Sequence, residues 1–365
     1  MKMTTAKGWG PVLVVTIAGV LAAQPAHSER ALVAGLPAID SSVGSYAVQP
    51  GVSGNLAIAG SDTLQPIMVK LATAFKDWQP GVKTVVQGGG SDTAITGFIS
   101  DQATIRRGDA QQKGHIVSGH VPLLASSRQL TEAERRAFRS RHGYDPTEMP
   151  IALDAIGIYV NHENPIRGLT MAQVDAIFGT DRKRGFSQAV TKWGDLGLEQ
   201  GWNQQPINLH GRDKRSGTRT FFNHEALLDG RMHPEVKEAT GSAMEIVEIS
   251  RDTLGIGYAG IGFQASTVRV VPLATEPGMP FVAPTAESVT DGSYPLARYL
   301  YLYVDKPSNR DLSPDVLAFL KFLNSREGQE IIARSGVYPL PAARIAKNIE
   351  ILNGSLLSAL QAGSK

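Results

Sequence analysis

The sequence predicts an α/β protein built of two lobes with a cleft between them. Three observations carry that expectation. Short apolar runs with strand character alternate with segments of helical periodicity, starting at Asn55. Gly60-Ser61-Asp62-Thr63 recurs, letter for letter, as Gly90-Ser91-Asp92-Thr93, each time where an apolar run gives way to a helical pattern. Two further apolar runs, Ile151 to Val160 and Leu296 to Val304, lie far apart in sequence and read as strands buried on both faces. As crossovers between lobes, they send the chain outward near residue 155 and bring it back near residue 295. That path makes residues 54–150 with 300–365 lobe 1, and residues 151–299 lobe 2.

The elements follow in order. Residues 1–28 read as a secretion signal. Lys2 and Lys7 form a charged start, and Ala26-His27-Ser28 offers small residues for cleavage. The apolar run from Pro11 to Ala23 falls short of the roughly 20 residues that a membrane span needs. Residues 29–53 are poor in charge and rich in Ala, Gly, Ser and Val, the composition of a spacer. Asn55 to Ala59 is the first strand candidate. Pro66 to Trp78 follows as a helix, with Ile67, Leu71, Ala74 and Phe75 on one face. Val82 to Val86 is the next strand candidate, and Ala94 to Ile99 continues as a helix. Thr131 with Glu134, and Thr170 with Gln173, have the spacing of capping boxes. Ser313-Pro314 opens a helix whose buried stripe is Val316, Leu317, Phe319, Leu320 and Leu323. The tail, 342–365, carries Ile345, Ile349, Leu352, Leu356 and Leu360, and reads as a terminal helix on lobe 1.

Composition excludes several classes. The absence of cysteine removes disulfides, thiolate metal sites and a cysteine nucleophile. The formal charge is +2, and without Lys2 and Lys7 the remaining 34 basic residues meet 34 acidic ones. A generic basic surface for nucleic acid is therefore not expected. The sequence holds no G-x-S-x-G elbow, no H-E-x-x-H and no G-x-x-x-x-G-K-[ST] phosphate loop. The eight histidines are scattered. His115 and His120, five apart, with His142 and His162, suggest no metal triad. No cofactor, metal or catalytic residue is expected.

The repeated loops point to a different chemistry. Hydroxyl residues beside glycine at a helix start combine free backbone N–H groups, O–H donors and the positive end of a helix dipole. A third loop, Gly211-Arg212-Asp213-Lys214-Arg215-Ser216-Gly217-Thr218-Arg219, adds cations to the same recipe. Three such places suit a socket for a compact oxyanion. In a closed cleft, desolvation of a dianion has to be offset by many donors. Ser61, Thr63, Ser91, Ser127, Ser216 and Thr218 could supply hydroxyls. Arg212 would be the fixed cation, its planar fork meeting two oxygens at once. Lys214, Arg215 and Arg219 read as a solvated charge cluster.

From Asn55 to about Pro341 the chain resembles the phosphate-binding proteins of high-affinity phosphate ABC transporters, and relatives with the type II periplasmic binding fold. The first ligand loop of that family is similar to Gly60-Ser61-Asp62-Thr63-Leu64-Gln65-Pro66, the second to Gly88-Gly89-Gly90-Ser91. The third is similar to Ala125-Ser126-Ser127-Arg128-Gln129-Leu130-Thr131, the fourth to Arg212-Asp213-Lys214-Arg215-Ser216-Gly217-Thr218. The stretches Ala152 to Ile156, Leu169 to Phe178, Gly255 to Tyr258 and Tyr294 to Leu296 match in order and spacing. The resemblance implies a monomeric, exported protein, periplasmic or otherwise secreted. It would bind inorganic phosphate through Ser61, Thr63, Leu64, Ser91, Ser127, Arg212, Ser216, Gly217 and Thr218, and deliver it to a membrane ABC permease. Many members of the family place an aspartate where Ser127 stands, to accept the proton of hydrogen phosphate, and an acidic residue where Lys214 stands. A hydroxyl can donate as well as accept, so these departures weaken discrimination against sulfate. Asp62 and Asp92 are the candidate replacement acceptors. Sulfate binding and a phosphatase-like enzyme on the same fold are the alternatives.

Overall fold

The computed structural model describes residues 37, 39–107, 115–307 and 309–362. The chain divides into two units, Met1–Leu36 and Pro37–Lys365. The first unit, and with it the expected signal, lies outside the described residues.

The strands of the second unit are, in chain order, β1 (Gly54–Gly60), β2 (Val82–Gln87), β3 (Ala103–Arg107), β4 (His115–Gly119), β5 (Leu123–Ser126), β6 (Thr147–Asn161), β7 (Leu169–Thr170), β8 (Asn208–Arg212), β9 (Lys237–Ala239), β10 (Gly255–Gly260), β11 (Val268–Val271), β12 (Leu273–Ala274) and β13 (Ala297–Val304). One nine-stranded sheet runs β2-β1-β5-β13-β6-β10-β8-β9, with β11 also on β6. The pairing explains the two long apolar runs. The first half of β6 lies antiparallel to β13, with Ala155 opposite Ala297. Its second half lies antiparallel to β10 and β11. A strand that serves two parts of a sheet is covered on both faces, which is why it reads as one unbroken apolar stretch; from Met149 onward every residue of β6 is buried.

Two large hydrophobic cores meet at this strand. One gathers Leu56, Ile58, Leu71, Phe75, Leu300, Leu302, Phe319 and Phe322. The other gathers Ile156, Ile158, Val174, Phe178, Trp193, Phe222 and Tyr258. Along β6 the change of core falls between Ala152 and Leu153, and on the return between Leu296 and Leu300.

The helices follow local signals. The helix Gln65–Trp78 has Pro66 in its first turn and buries Ile67, Met68, Leu71 and Phe75. Both expected capping boxes are present, at Thr131 with Glu134 and Thr170 with Gln173. The two Gly-Ser-Asp-Thr copies differ in structure. After Gly60, residues 61–64 form a turn and the helix starts at Gln65. After Gly90 the helix Ser91–Ser100 starts at once, three residues before its apolar periodicity begins. The terminal helix, Ala342–Ala362, buries Ile345 and Leu352, leaves Ile349 exposed, and is tied to β6 by Asn348, which donates to the Pro150 carbonyl at 2.7 Å. The side chains of Leu356 and Leu360 lie outside the described residues.

Part of the stretch expected as a spacer is anchored. Tyr46 is buried, with its ring edge-on to Phe75, Trp78 and Phe322. Arg326 donates its backbone N–H to the Gly44 carbonyl at 2.9 Å. Composition alone hid this, because two aromatic or branched residues among small polar ones are enough to seat a short segment.

Candidate functional site

Three helix starts and one strand end come together where the two cores meet. Gly60 ends β1 with φ +155, and a Cβ there would sit 1.8 Å from the Ala125 carbonyl oxygen on β5. Only glycine lets the two strand ends approach this closely. Ser61 then turns its hydroxyl back on the loop. Its Oγ accepts the Thr63 N–H at 3.1 Å and the Leu64 N–H at 3.4 Å. The Leu64 side chain belongs to the first core, so only its amide belongs to the loop.

One pair of hydroxyls bridges the seam and a second lines one side of it. Thr63 Oγ1 and Thr218 Oγ1 share a hydrogen bond of 3.0 Å. Ser91 Oγ and Ser127 Oγ share another of 3.0 Å, and the Ser127 N–H donates to Ser91 Oγ at 3.1 Å. Ser216 caps the helix Gly217–Leu227, its Oγ accepting the Arg219 N–H at 3.3 Å. Gly217, first in that helix, faces the serine pair. A Cβ on it would lie 2.7 Å from Ser91 Oγ and 2.9 Å from Ser127 Oγ. Ser61, Thr63, Ser91, Ser127, Arg212, Ser216 and Thr218 are all at most 3% exposed. The first-turn amides of the helices Ser91–Ser100 and Gly217–Leu227 have no partner within their own helices, and both dipoles present their positive ends here.

Arg212, at the end of β8, supplies the fixed charge. Its Nη1 donates to Ser242 Oγ at 2.8 Å, its Nη2 to Asp62 Oδ2 at 3.3 Å, and its backbone N–H to the Tyr258 hydroxyl at 3.3 Å. Its Nε is buried without a hydrogen-bond partner among the described residues. The two candidate acceptors differ in their engagement. Asp92 is committed: Oδ1 takes both the Nε and Nη2 of Arg128, at 2.8 and 2.7 Å, and Oδ2 accepts the Thr220 hydroxyl at 2.5 Å. Asp62 accepts the Gly89 N–H at 2.8 Å through Oδ1 and meets Arg212 through Oδ2. Arg128 also pairs with Glu134, making it a loop salt bridge. Lys214 is exposed, Arg215 pairs with Asp213, and Arg219 pairs with Glu238.

Four neighbours escaped the sequence reading. Asp154 on β6 and Arg298 on β13 stand opposite each other in register. Arg298 donates Nε and Nη2 to Asp154 Oδ2 at 2.9 and 2.7 Å, and Nη1 to the Ser127 carbonyl at 3.0 Å and to Thr218 Oγ1 at 3.2 Å. The pair therefore holds both Ser127 and Thr218 in place at the seam. Burial pushes the Asp154 carboxyl up, against the pull of Arg298. A sequence signal existed: one charge stands in each long apolar run, Asp154 in Ile151 to Val160 and Arg298 in Leu296 to Val304, and buried charges of opposite sign pair. The other two, Ser242 and Glu245, lie one turn apart on the helix Ser242–Ser250. Glu245 is wholly buried; Oε1 accepts the Tyr258 N–H at 2.9 Å, and Oε2 has no partner among the described residues. Burial raises its pKa to about 8, with the Arg212 charge opposing.

A sheet in two parts sharing one long strand, with ligand-type loops meeting at the seam, is the architecture of a two-lobed solute-binding protein. Residues 45–327 match the model of the PBP superfamily domain. The chain is 40% identical over 315 residues to the phosphate-binding protein PstS of Pseudomonas aeruginosa, covering 86% of this chain and 92% of that one. It is 26% identical to the phosphate-binding protein PstS of Staphylococcus saprophyticus, over 74% of this chain and 76% of that one. Among solved structures it resembles a putative phosphate ABC transporter substrate-binding protein with bound phosphate from Clostridium perfringens. The TM-score is 0.62 at 24% identity, with 79% of this chain and 100% of that one covered. The chain belongs to the PBP superfamily and, within it, to the PstS family of phosphate-binding proteins, with the type II periplasmic binding protein fold.

Proposed function

We propose that this protein is an exported solute-binding protein that captures inorganic phosphate in the interlobe cleft and passes it to a membrane ABC permease. The observation that carries this reading is the meeting of Thr63, Ser91 and Ser127 with Gly217, Thr218 and Arg212 across one seam. Residues 54–150 with 300–365 and residues 151–299 are the two lobes, hinged on β6 and the entry to β13. Ser61, Thr63, Leu64, Ser91, Ser127, Arg212, Ser216, Gly217 and Thr218 are the proposed ligand set, acting as a monomer in the periplasm or outside the cell.

The hydroxyls now bond to one another, so binding is an exchange. Opening of the seam breaks the Thr63–Thr218 bond, and phosphate oxygens replace it; Ser91 and Ser127, both in the first lobe, exchange their mutual bond for phosphate oxygens. Each charge-assisted hydrogen bond contributes roughly 1.5–3 kcal/mol before the costs of ordering and desolvation, which leaves micromolar or tighter affinity as the expectation. Arg212 exchanges part of its contact with Asp62 for phosphate oxygens. Hydrogen phosphate brings a proton that needs an acceptor, and sulfate does not. Asp62 suits that role better than Asp92, because among the described residues its Oδ2 is held only by the 3.3 Å contact to Arg212 that phosphate would take over, whereas both oxygens of Asp92 are held by Arg128 and Thr220. The PstS relatives are named as binding proteins, and the proposed role requires no bond making: energy for transport belongs to the permease's ATPase.

Calorimetry with phosphate, sulfate and arsenate tests the reading. One phosphate per chain, bound in preference to sulfate and without turnover of a chromogenic phosphoester, is expected. Preference for sulfate, or steady phosphoester hydrolysis, would overturn it.

A further inference from the structure

A second site lies away from the seam. Asp101, His120 and Asp305 come from three different elements. Asp101 caps the C-terminus of the helix Ser91–Ser100 with φ +58, His120 follows β4, and Asp305 follows β13. One side-chain ligand atom from each lies within 4.8 Å of the other two. His120 Nδ1 stands 3.2 Å from Asp101 Oδ1 and 3.3 Å from Asp305 Oδ2. Around a tetrahedral zinc ion with ligands at about 2.0–2.1 Å, neighbouring ligand atoms are roughly 3.3 Å apart. Both edges to His120 have that length, and the third, between the two carboxylates, is at most 4.8 Å, so closing on such an ion draws the carboxylates together around it.

We propose that Asp101, His120 and Asp305 form a Zn2+ site. The donor set selects the metal. An imidazole with two carboxylate oxygens suits zinc, whereas calcium takes six to eight oxygens and magnesium prefers oxygen and water. The supporting contacts are those of a metal site. Tyr144 donates its hydroxyl to Asp305 Oδ1, which leaves Oδ2 turned to His120. The Asp305 backbone N–H donates to the Pro122 carbonyl at 3.0 Å, and Arg141 Nε donates to Asp101 Oδ2 at 3.3 Å. Such outer contacts fix the orientation of ligating oxygens. His120 is half exposed, with 52% of its side chain accessible, so a fourth position is open to water. The dipole of the helix Ser91–Ser100 adds to the attraction, because a cation beside Asp101 sits at the helix's negative end. The same helix carries Ser91 at its start, so the ion fixes the far end of an element that serves the seam. The two sites are separate. Asp305 is seven residues beyond Arg298 (305 minus 298), roughly 20 Å along an extended strand.

Equilibrium dialysis of the full chain against Zn2+ in phosphate-free buffer tests the site, with bound metal counted per chain. One zinc per chain is expected for the wild type. His120→Ala and Asp305→Asn should each weaken retention at least about tenfold. Their circular dichroism and zinc-free melting temperatures serve as the fold control. Zinc should raise the melting temperature of the wild type and not that of the variants. Absence of retained zinc, with His120 only pairing with the two carboxylates, overturns the proposal. So does equal retention by wild type and variants, or tighter retention of Ca2+ or Mg2+.

Discussion

Replacing Glu245 with Gln should remove one specific pH dependence of stability. Glu245 is wholly buried, and burial holds its carboxyl near 8 in place of the ordinary 4.5, with Glu248 adding to the rise and Arg212 and the Tyr258 N–H opposing it. The folded protein therefore keeps a proton that the unfolded chain releases. Between pH 4.5 and about 8 the native state binds more protons, so stability falls as pH rises, and the loss is complete above 8. The rise from 4.5 to about 8 corresponds to about 5 kcal/mol. Gln keeps the shape and the acceptor for Tyr258 but cannot ionise. Urea unfolding at pH 5, 7 and 9, followed by the fluorescence of buried Trp193, measures the difference between variant and wild type. Other titrating groups, Asp154 included, cancel in that difference. At pH 5 the two proteins should agree within about 1 kcal/mol. By pH 9 Glu245→Gln should be several kcal/mol the more stable. An ionised Glu245 also weakens the pull of Arg212 on an anion, so phosphate affinity should fall faster with pH in the wild type. A stability difference that does not change between pH 5 and 9 would refute the reasoning.

Other outcomes follow from the same geometry. Gly217→Ala places a methyl 2.7 Å from Ser91 Oγ and should lower phosphate affinity at least about tenfold in calorimetry, with far-UV circular dichroism unchanged. Arg212→Ala removes the buried cation and should weaken binding about a hundredfold; unchanged affinity would reject the fourth loop as a ligand loop. Asp154→Ala leaves Arg298 buried and unpaired, and should cost about 3–5 kcal/mol in urea unfolding, more than the paired replacement Asp154→Leu with Arg298→Met. Thr131→Ala breaks the capping box with Glu134 and should cost about 1 kcal/mol without touching phosphate affinity.

Most of what is periodic or local was legible in the sequence. The buried stripe of the helix Gln65–Trp78, both capping boxes and the proline start at Pro314 rest on neighbours within a turn, and each appears where its residues predict it. The long strands were legible because covering both faces removes polar residues. The anchoring of Tyr46 was not, since its partners are Phe75, Trp78 and Phe322. Nor was the difference between the two Gly-Ser-Asp-Thr copies. The letters are identical, but Gly60 is pressed against Ala125 while Gly90 lies against the Arg215 carbonyl.

The α/β alternation, the helix starts and the hydroxyl-rich chemistry of the loops follow from the order of residues alone, because those properties depend on neighbours close along the chain. Which groups share a seam is set by the packing of distant segments. Asp154 and Arg298, 144 residues apart, become partners through one register of β6 against β13. Asp92 loses its freedom as an acceptor to Arg128 and Thr220, and Asp101, His120 and Asp305 become neighbours because one helix and two strands end close together. Coulomb and hydrogen-bond energies fall off over a few ångströms of space, and distance in space is what folding sets.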